Sequence, residues 1–310
     1  MISKSPINKE SLKKNVVATA SARAGWKLIL ETLPKDAEIL LPSYIGVTDR
    51  EGSGIYDPVT DLGVRHDFYP LNQDLSISIP EIKSKIREKN YSLILVVHYF
   101  GFKVRNIKNI KKLCEDSNII LVEDCAHLYN YNMLWASDAG SFGDYAFYSL
   151  HKNFPIKSGG LLVQNNKNHN KIISSSKDKN SVYFETLMKY QVEAIAQKRI
   201  ENFKFLEAQI SNVSGVKPFK KLQKGDIPHN YPIIVDNHLR EKLYFSLIDK
   251  GIMLIALYYR LIEPLKISKF ESMQFLANNI LNLPVHQDID QNEIVILVNM
   301  IKKSLKELNS

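Results

Sequence analysis

Apolar residues along this chain gather in short unbroken runs that stop at polar ones, with helically spaced stretches between them. Residues 39–41 form one such run, closed by Pro42. Residues 93–97 (LILVV) are wholly apolar and end at His98, and 119–122 repeat the pattern, ending at Glu123 and Asp124. Between these two runs, 106–114 has helical periodicity. Unbroken apolar strands alternating with a helix predict a parallel sheet buried on both faces. Residues 145–148 predict another strand, and the pair Gly159-Gly160 leads into one more apolar run. A short Ala/Thr/Ser stretch marks the start of a helix over 20–33. Residues 185–210 read as one long helix, 228–235 and 251–256 as strands of a smaller unit, and 291–308 as a closing amphipathic helix. The chain is therefore expected to be α/β. A large domain over residues 1–200 carries a mostly parallel sheet between helices, and a small C-terminal α/β domain spans 201–310.

Composition narrows the class. The 310 residues are 45% hydrophobic and 24% charged, as in globular proteins. No apolar run approaches the roughly 18 residues that suggest a membrane span. The N-terminal MISKSPINKESLKKN lacks the apolar core of a secretory signal. Cys114 and Cys125 form no CxxC pair and the chain has no clustered histidines, so neither a disulfide framework nor a zinc site is expected. A reducing cytosol fits this usage. The formal net charge of +8 has two readings: a solvated lysine-rich surface, or a preference for anionic ligands such as phosphate cofactors and nucleotide diphosphates. No basic run is interleaved with aromatics, so nucleic acid is not an expected partner.

In open α/β sheets ligands bind beyond the carboxyl ends of the strands, and three polar signals fall at such places. Asp124, in Glu123-Asp124-Cys125-Ala126-His127, directly follows an apolar strand. It suits a cationic ring nitrogen, which would hold the carboxylate ionised, or it caps the next turn. Lys152, in Ser149-Leu150-His151-Lys152-Asn153, lies just past a strand and near a glycine pair. Desolvation would make it a Schiff-base nucleophile; otherwise it is a surface lysine. Ser149, three residues earlier, is placed to bond a phosphate. Ser21, Ala22 and Arg23 open the first helix, where free backbone N–H groups receive anions. A plain N-cap explains Ser21 equally well, whereas Arg23 opposes the helix dipole, which favours a role for it.

These segments, in this order, resemble the sugar-nucleotide aminotransferases of the DegT/DnrJ/StrS group. Ser21-Ala22-Arg23 matches the family's helix start, and Pro42-Ser43-Tyr44 its Pro-x-Tyr strand end. His98-Tyr99-Phe100-Gly101 matches its His-x-Phe/Tyr-Gly turn, and Glu123 to His127 its Glu-Asp-x-Ala-Gln/His segment. Gly143-Asp144, Ser149, Lys152-Asn153 and Gly159-Gly160 follow its spacing, and Leu283-Pro284-Val285-His286 resembles its Leu-Pro-x-His. The resemblance spans roughly residues 15–300. It implies the type I fold of enzymes that use pyridoxal 5'-phosphate (PLP), and transfer of an amino group to a keto sugar on a nucleotide diphosphate in polysaccharide biosynthesis. An amino acid, glutamate by expectation, is the donor, and a homodimer the expected assembly.

By the same resemblance, Lys152 carries the cofactor covalently and Asp124 pairs with its pyridine nitrogen. His127 sits beside its phenolic oxygen, and Ser149 with the turn Ser21–Arg23 holds its phosphate. Tyr44 or His98 contacts the ring. Two departures stand out. The segment before Lys152 is two residues shorter than in the family, which makes Lys157 a rival for the covalent role. The family's Gly-Tyr-Asn-x-Arg segment, which reaches the neighbouring subunit, has no match between 165 and 195; the loop Glu51-Gly52-Ser53-Gly54 is a candidate substitute or a simple turn. The alternatives are a PLP-dependent sugar dehydratase, a branch with His in place of the lysine and hence a reason to note His151, and a non-catalytic binding or regulatory member of the family.

Overall fold

The computed structural model of the chain describes residues 16–128, 139–154, 156–166, 192–236, 238–254 and 257–309. The 185–191 start of the expected long helix and most of the unmatched 165–195 stretch lie outside these. In chain order the large sheet and its helices are β1 (Val16–Thr19), α1 (Ala22–Leu30), β2 (Glu38–Pro42), α2 (Tyr56–Asp61), β3 (Arg65–Tyr69), α3 (Ile79–Glu88), β4 (Leu93–Val97), α4 (Ile107–Asp116), β5 (Ile120–Asp124), β6 (Tyr145–Ser149) and β7 (Gly160–Gln164). There follow α5 (Val192–Ile210), β8 (Val216–Pro218), β9 (Asn230–Val235), α6 (Arg240–Asp249), α7 (Glu271–Asn279), β10 (Ile280–Pro284) and α8 (Gln291–Leu308).

The seven strands lie in the order β1-β7-β6-β5-β4-β2-β3. Strands β3, β2, β4, β5 and β6 are parallel; β7 runs against both β6 and β1. All five residues of β4 and of β6 are buried, as a sheet covered on both faces requires. On one face α1 buries Trp26, Ile29 and Leu30, with Trp26 stacked on Phe147 of β6 at 5.7 Å. The second sheet is antiparallel, in the order β10-β9-β8, and α8 packs against α5 and α6 beside it. Asp290 and Glu293 form a reciprocal capping box at the start of α8.

Register carries the polar strand ends to one edge. Val97 pairs with Asp124, Asp124 with Phe147, Ser149 with Gly160, and Gly160 with Thr19. Because β7 is reversed, its first residue meets the last residues of its neighbours, and the start of α1 arrives at the same edge. Gly160 makes the approach possible: a Cβ there would lie 2.4 Å from the Ser21 carbonyl carbon and 2.6 Å from the Ala22 nitrogen.

One expected strand is absent. Residues 251–254 form no strand, and 255–256 lie outside the described residues. Gly251, at φ 85°, is the left-handed residue ending α6; its N–H bonds Ile248 O and that of Ile252 bonds Leu247 O, the double bond of a Schellman cap. Gly251 and Ile252 are thus a helix end rather than a strand start, and Met253 after them is 84% exposed. The partners of β9 in the small sheet are instead β8 and β10.

Candidate active site

The polar strand ends and the start of α1 enclose a cavity of about 660 Å³. Ser21, Ala22, Arg23, His98, Asp124, His127, Ser149 and Lys152 line it, and so does Lys157. Tyr44 does not. It is fully buried behind the wall, stacked on Tyr258 at 5.2 Å, and its hydroxyl donates to Tyr258 O at 3.1 Å. Of this stacked pair it is Tyr258, not the expected Tyr44, that lines the cavity.

Lys152 and His127 meet in this cavity, with Lys152 Nζ 3.0 Å from His127 Nε2. The Phe100 N–H donates to His127 Nδ1 at 3.3 Å. That bond leaves the proton of a neutral ring on Nε2, facing the amine. Burial, then the charge of Lys152, then His229, hold the His127 pKa well below the usual range, so the ring is neutral. Burial lowers the Lys152 ammonium as well, against the opposing pull of Asp124 and Glu51. Both shifts favour an uncharged amine beside an N–H donor, which is the state a nucleophilic lysine needs. Lys157 is exposed at the cavity edge.

Asp124 is 5% exposed, and burial raises its pKa; the Ala126 N–H, Lys152 and His98 pull it back. Among the described residues its side chain accepts one hydrogen bond, Oδ1 from Ala126 N–H at 2.8 Å. A buried carboxylate with acceptor capacity left on a cavity wall fits a cationic ring nitrogen. His98 is differently placed. Its Nδ1 accepts from Val104 N–H at 3.0 Å and its Nε2 faces Glu123 Oε2 at 2.9 Å, so both nitrogens are committed within the wall. His98, Glu123 and Cys125 lie close enough together to hold a metal ion, but Glu123 already accepts from the N–H groups of Gly140, Phe142 and Gly143.

At the α1 end of the cavity, Ser21 caps the helix by accepting from Ala24 N–H at 3.1 Å, and the nine-residue helix has its N-terminus in the cavity wall. Ser149 is buried, its Oγ 3.2 Å from His151 Nδ1. Arg23 donates to Glu51 O and lies 3.5 Å from Asp57, so it ties α1 to the glycine-rich loop. That loop lines the cavity from Arg50 to Gly54.

A match to the family model of the DegT/DnrJ/EryC1/StrS aminotransferases covers residues 11–184, more than half of the chain. The chain belongs to this family. Members of the DegT/DnrJ/EryC1/StrS family are aminotransferase-type enzymes, and the chain has the family's type I fold of PLP-dependent transferases. It is similar to the aminotransferase TlmJ from Streptoalloteichus hindustanus, at 18% identity and TM-score 0.75, over 95% of this chain and 86% of that one. Spr1654 from Streptococcus pneumoniae, solved in its PLP form, superposes with TM-score 0.74 at 16% identity, over 94% and 87% of the two chains. GDP-4-keto-6-deoxymannose-3-dehydratase (ColD) superposes with TM-score 0.72 at 18% identity, over 94% and 90%.

Tyr258 is the wall residue that reading the sequence missed. Its ring stands edge-on to His127 at 5.7 Å, and its backbone, at φ 56°, is held by the close approach of Gly46. A left-handed tyrosine leaves no mark in the sequence beyond the Tyr258-Tyr259 doublet. His229 was missed too. Gly101 lets the turn after His98 press on the small sheet: a Cβ there would lie 2.4 Å from Ile227 O. The His229 N–H bonds Phe100 O at 2.8 Å, and its ring stacks on His127 at 5.0 Å.

Proposed function

We propose that this chain is a PLP-dependent aminotransferase that moves an amino group from glutamate to a keto sugar on a nucleotide diphosphate, in the cytosol and as a homodimer serving polysaccharide biosynthesis. We also take the chain to divide within α5, near residue 200, into cofactor-binding and small domains. The observation that carries the reading is the meeting of Lys152 Nζ with the buried His127 at 3.0 Å, in the cavity that also holds Asp124 and the start of α1.

Bound PLP supplies an electron sink for the charge left on a substrate carbon when its proton departs. The chain's own groups do the rest. Lys152 Nζ would hold the cofactor covalently and would take up and return the proton of the substrate carbon. Its place against His127 favours it over the exposed Lys157. The Asp124 carboxylate keeps the pyridine nitrogen protonated by a charge-assisted bond. His127 offers its Nε2–H to the phenolic oxygen, and Ser149 with the N–H groups at the start of α1 receives the phosphate. Arg23, Arg50 and Lys157 give the outer cavity the positive sign that a nucleotide diphosphate prefers. A dehydratase reading would pass the lysine's part to His151, yet it is Lys152 that touches His127.

The test is the absorbance spectrum of purified protein with and without glutamate, followed by borohydride reduction and peptide mass spectrometry. A visible band that glutamate shifts, and an adduct on Lys152, are expected. An adduct on Lys157 would reassign the lysine, and no adduct at all would end the enzyme reading.

A further inference from the structure

The loop over residues 46–54 forms part of the wall of the cavity that holds Lys152 and Asp124. Its backbone is firmly held. The Val47 N–H donates to Arg260 O at 3.0 Å, and the Arg260 guanidinium pairs with Asp49. Thr48 and Gly52 exchange backbone hydrogen bonds at 3.1 and 2.9 Å, which closes the turn between them. Within that turn both backbone groups of Glu51 are committed. Its N–H donates to Thr48 Oγ1 at 3.1 Å, and its carbonyl accepts from Arg23 of α1. The Glu51 side chain is the opposite case. Exposed on the cavity wall, it has neither a hydrogen bond nor an ion pair among the described residues.

A backbone fixed in advance lowers the entropy cost of ordering the carboxylate against a ligand. Among the residues that line this cavity only Asp124 and Glu51 are acids, against the cationic Arg23, Arg50 and Lys157. The Glu51 charge is felt at the reactive end. Burial lowers the Lys152 pKa, and Asp124 and then Glu51 oppose it; on His151, burial and then Lys152 lower the pKa and Glu51 opposes them. A ligand group that meets Glu51 therefore lies close to Lys152 Nζ. The surrounding cations disfavour an ammonium there, and Glu51 itself repels an anion. A neutral hydroxyl, which donates to a carboxylate in a charge-assisted bond, suits a lone acceptor among donors.

We infer that Glu51 is a specificity-determining residue of this cavity: its carboxylate accepts a hydrogen bond from a sugar hydroxyl next to the carbon that is aminated, and so selects acceptors that carry this hydroxyl over their deoxy counterparts. The inference rests on the proposed reading for the presence of a nucleotide-linked sugar, and on the loop for the position of the acceptor. Removing the Glu51 charge then acts with opposite sign on the two parts of such a ligand. The sugar loses a charge-assisted bond, whereas the diphosphate no longer shares its cavity with an exposed anion.

Calorimetric titration of the purified, cofactor-loaded protein with UDP-glucose, dTDP-glucose and GDP-mannose, each beside its free nucleoside diphosphate, tests this. Glu51→Ala removes a side chain that makes no internal bond, so the melting temperature should be kept. Its affinity for the best-bound nucleotide sugar should fall by about tenfold or more, the usual scale for a hydrogen bond to a charged group. Its affinity for the matching free diphosphate should hold or rise. The 2-, 3- and 4-deoxy forms of that sugar then locate the hydroxyl. One of them should bind the unaltered protein as weakly as the parent sugar binds Glu51→Ala, and should lose nothing further in the variant. Unchanged or tighter binding of the nucleotide sugar by Glu51→Ala, an equal loss for the free diphosphate, or deoxy forms that all stay sensitive to the substitution would overturn the inference and leave the sugar reading standing. Failure of that reading looks different: no nucleotide sugar would bind the unaltered protein at millimolar concentration, and the inference would fall with it.

Discussion

Glu123 and Asp124 are adjacent, both buried, and sent by β5 to opposite faces of the sheet. Around Glu123 the acceptor sites are filled by His98 and three backbone N–H groups, and the carboxylate pins the 140–143 turn. Around Asp124 one N–H is bonded and the rest of the carboxylate meets a cavity. The two sides show that burial alone does not distinguish a structural acid from a reactive one. Unfilled bonding capacity beside open space does.

The sharpest test of the open side is its lysine. Lys152→Ala should abolish the borohydride adduct and slow transamination by about four orders of magnitude or more, on the order of 5 kcal/mol of barrier. In the unaltered protein, burial lowers the Lys152 pKa, and only the neutral amine bonds the cofactor. Capture measured by absorbance should therefore rise with pH and be complete below the usual lysine range. Capture that rises only within that range would mean an exposed amine.

Asp124→Asn should come next. It keeps the shape and removes the charge, so the half-reaction with glutamate, counted per bound cofactor, should slow by about two orders of magnitude, roughly 3 kcal/mol. Glu123→Gln should behave in the opposite way. It places an amide against three N–H donors and should cost about 1–3 kcal/mol of stability, read as a lower denaturant midpoint, with the rate per bound cofactor nearly kept. Equal losses of rate in these two variants would erase the distinction between the faces. The smallest effect is expected from Tyr44→Phe. Loss of its bond to Tyr258 O should cost about 1 kcal/mol and leave cofactor affinity unchanged. A tenfold weaker affinity would put Tyr44 back in contact with the ligand.

The buried centre of the sheet was legible because β4, β5 and β6 must be apolar on both faces, which sets their ends apart as polar. The edge was not: β3 reads RHDFY, with Arg65 exposed, and β1 has only four residues. Strand β10 carries the buried Asn282 between leucines, and Gly251 looks like a strand start until its left-handed φ shows it to be a helix end. In the candidate site, residues at strand ends could be placed from sequence because strand polarity carries them there. Tyr258 and His229 reach it through Gly46 and Gly101, contacts between segments far apart in the chain, and no local pattern encodes those. Tyr44 directly precedes the lining residues Ile45, Gly46 and Val47 but does not itself line the cavity.

The contact between Gly160 and the Ser21–Ala22 peptide also bears on how the protein is made. It joins residues 21–22 to a strand past the midpoint of the chain, so the turn that opens α1 cannot be complete on the ribosome until β7 has emerged. Long-range closures of this kind form late and slowly, and intermediates that await them expose sticky surface. A cofactor that recognises only the closed form adds its binding energy to the closed state alone. The vitamin-derived ligand would then serve as a folding clasp as well as a reagent, and cells starved of it during synthesis should accumulate less of this protein in folded form.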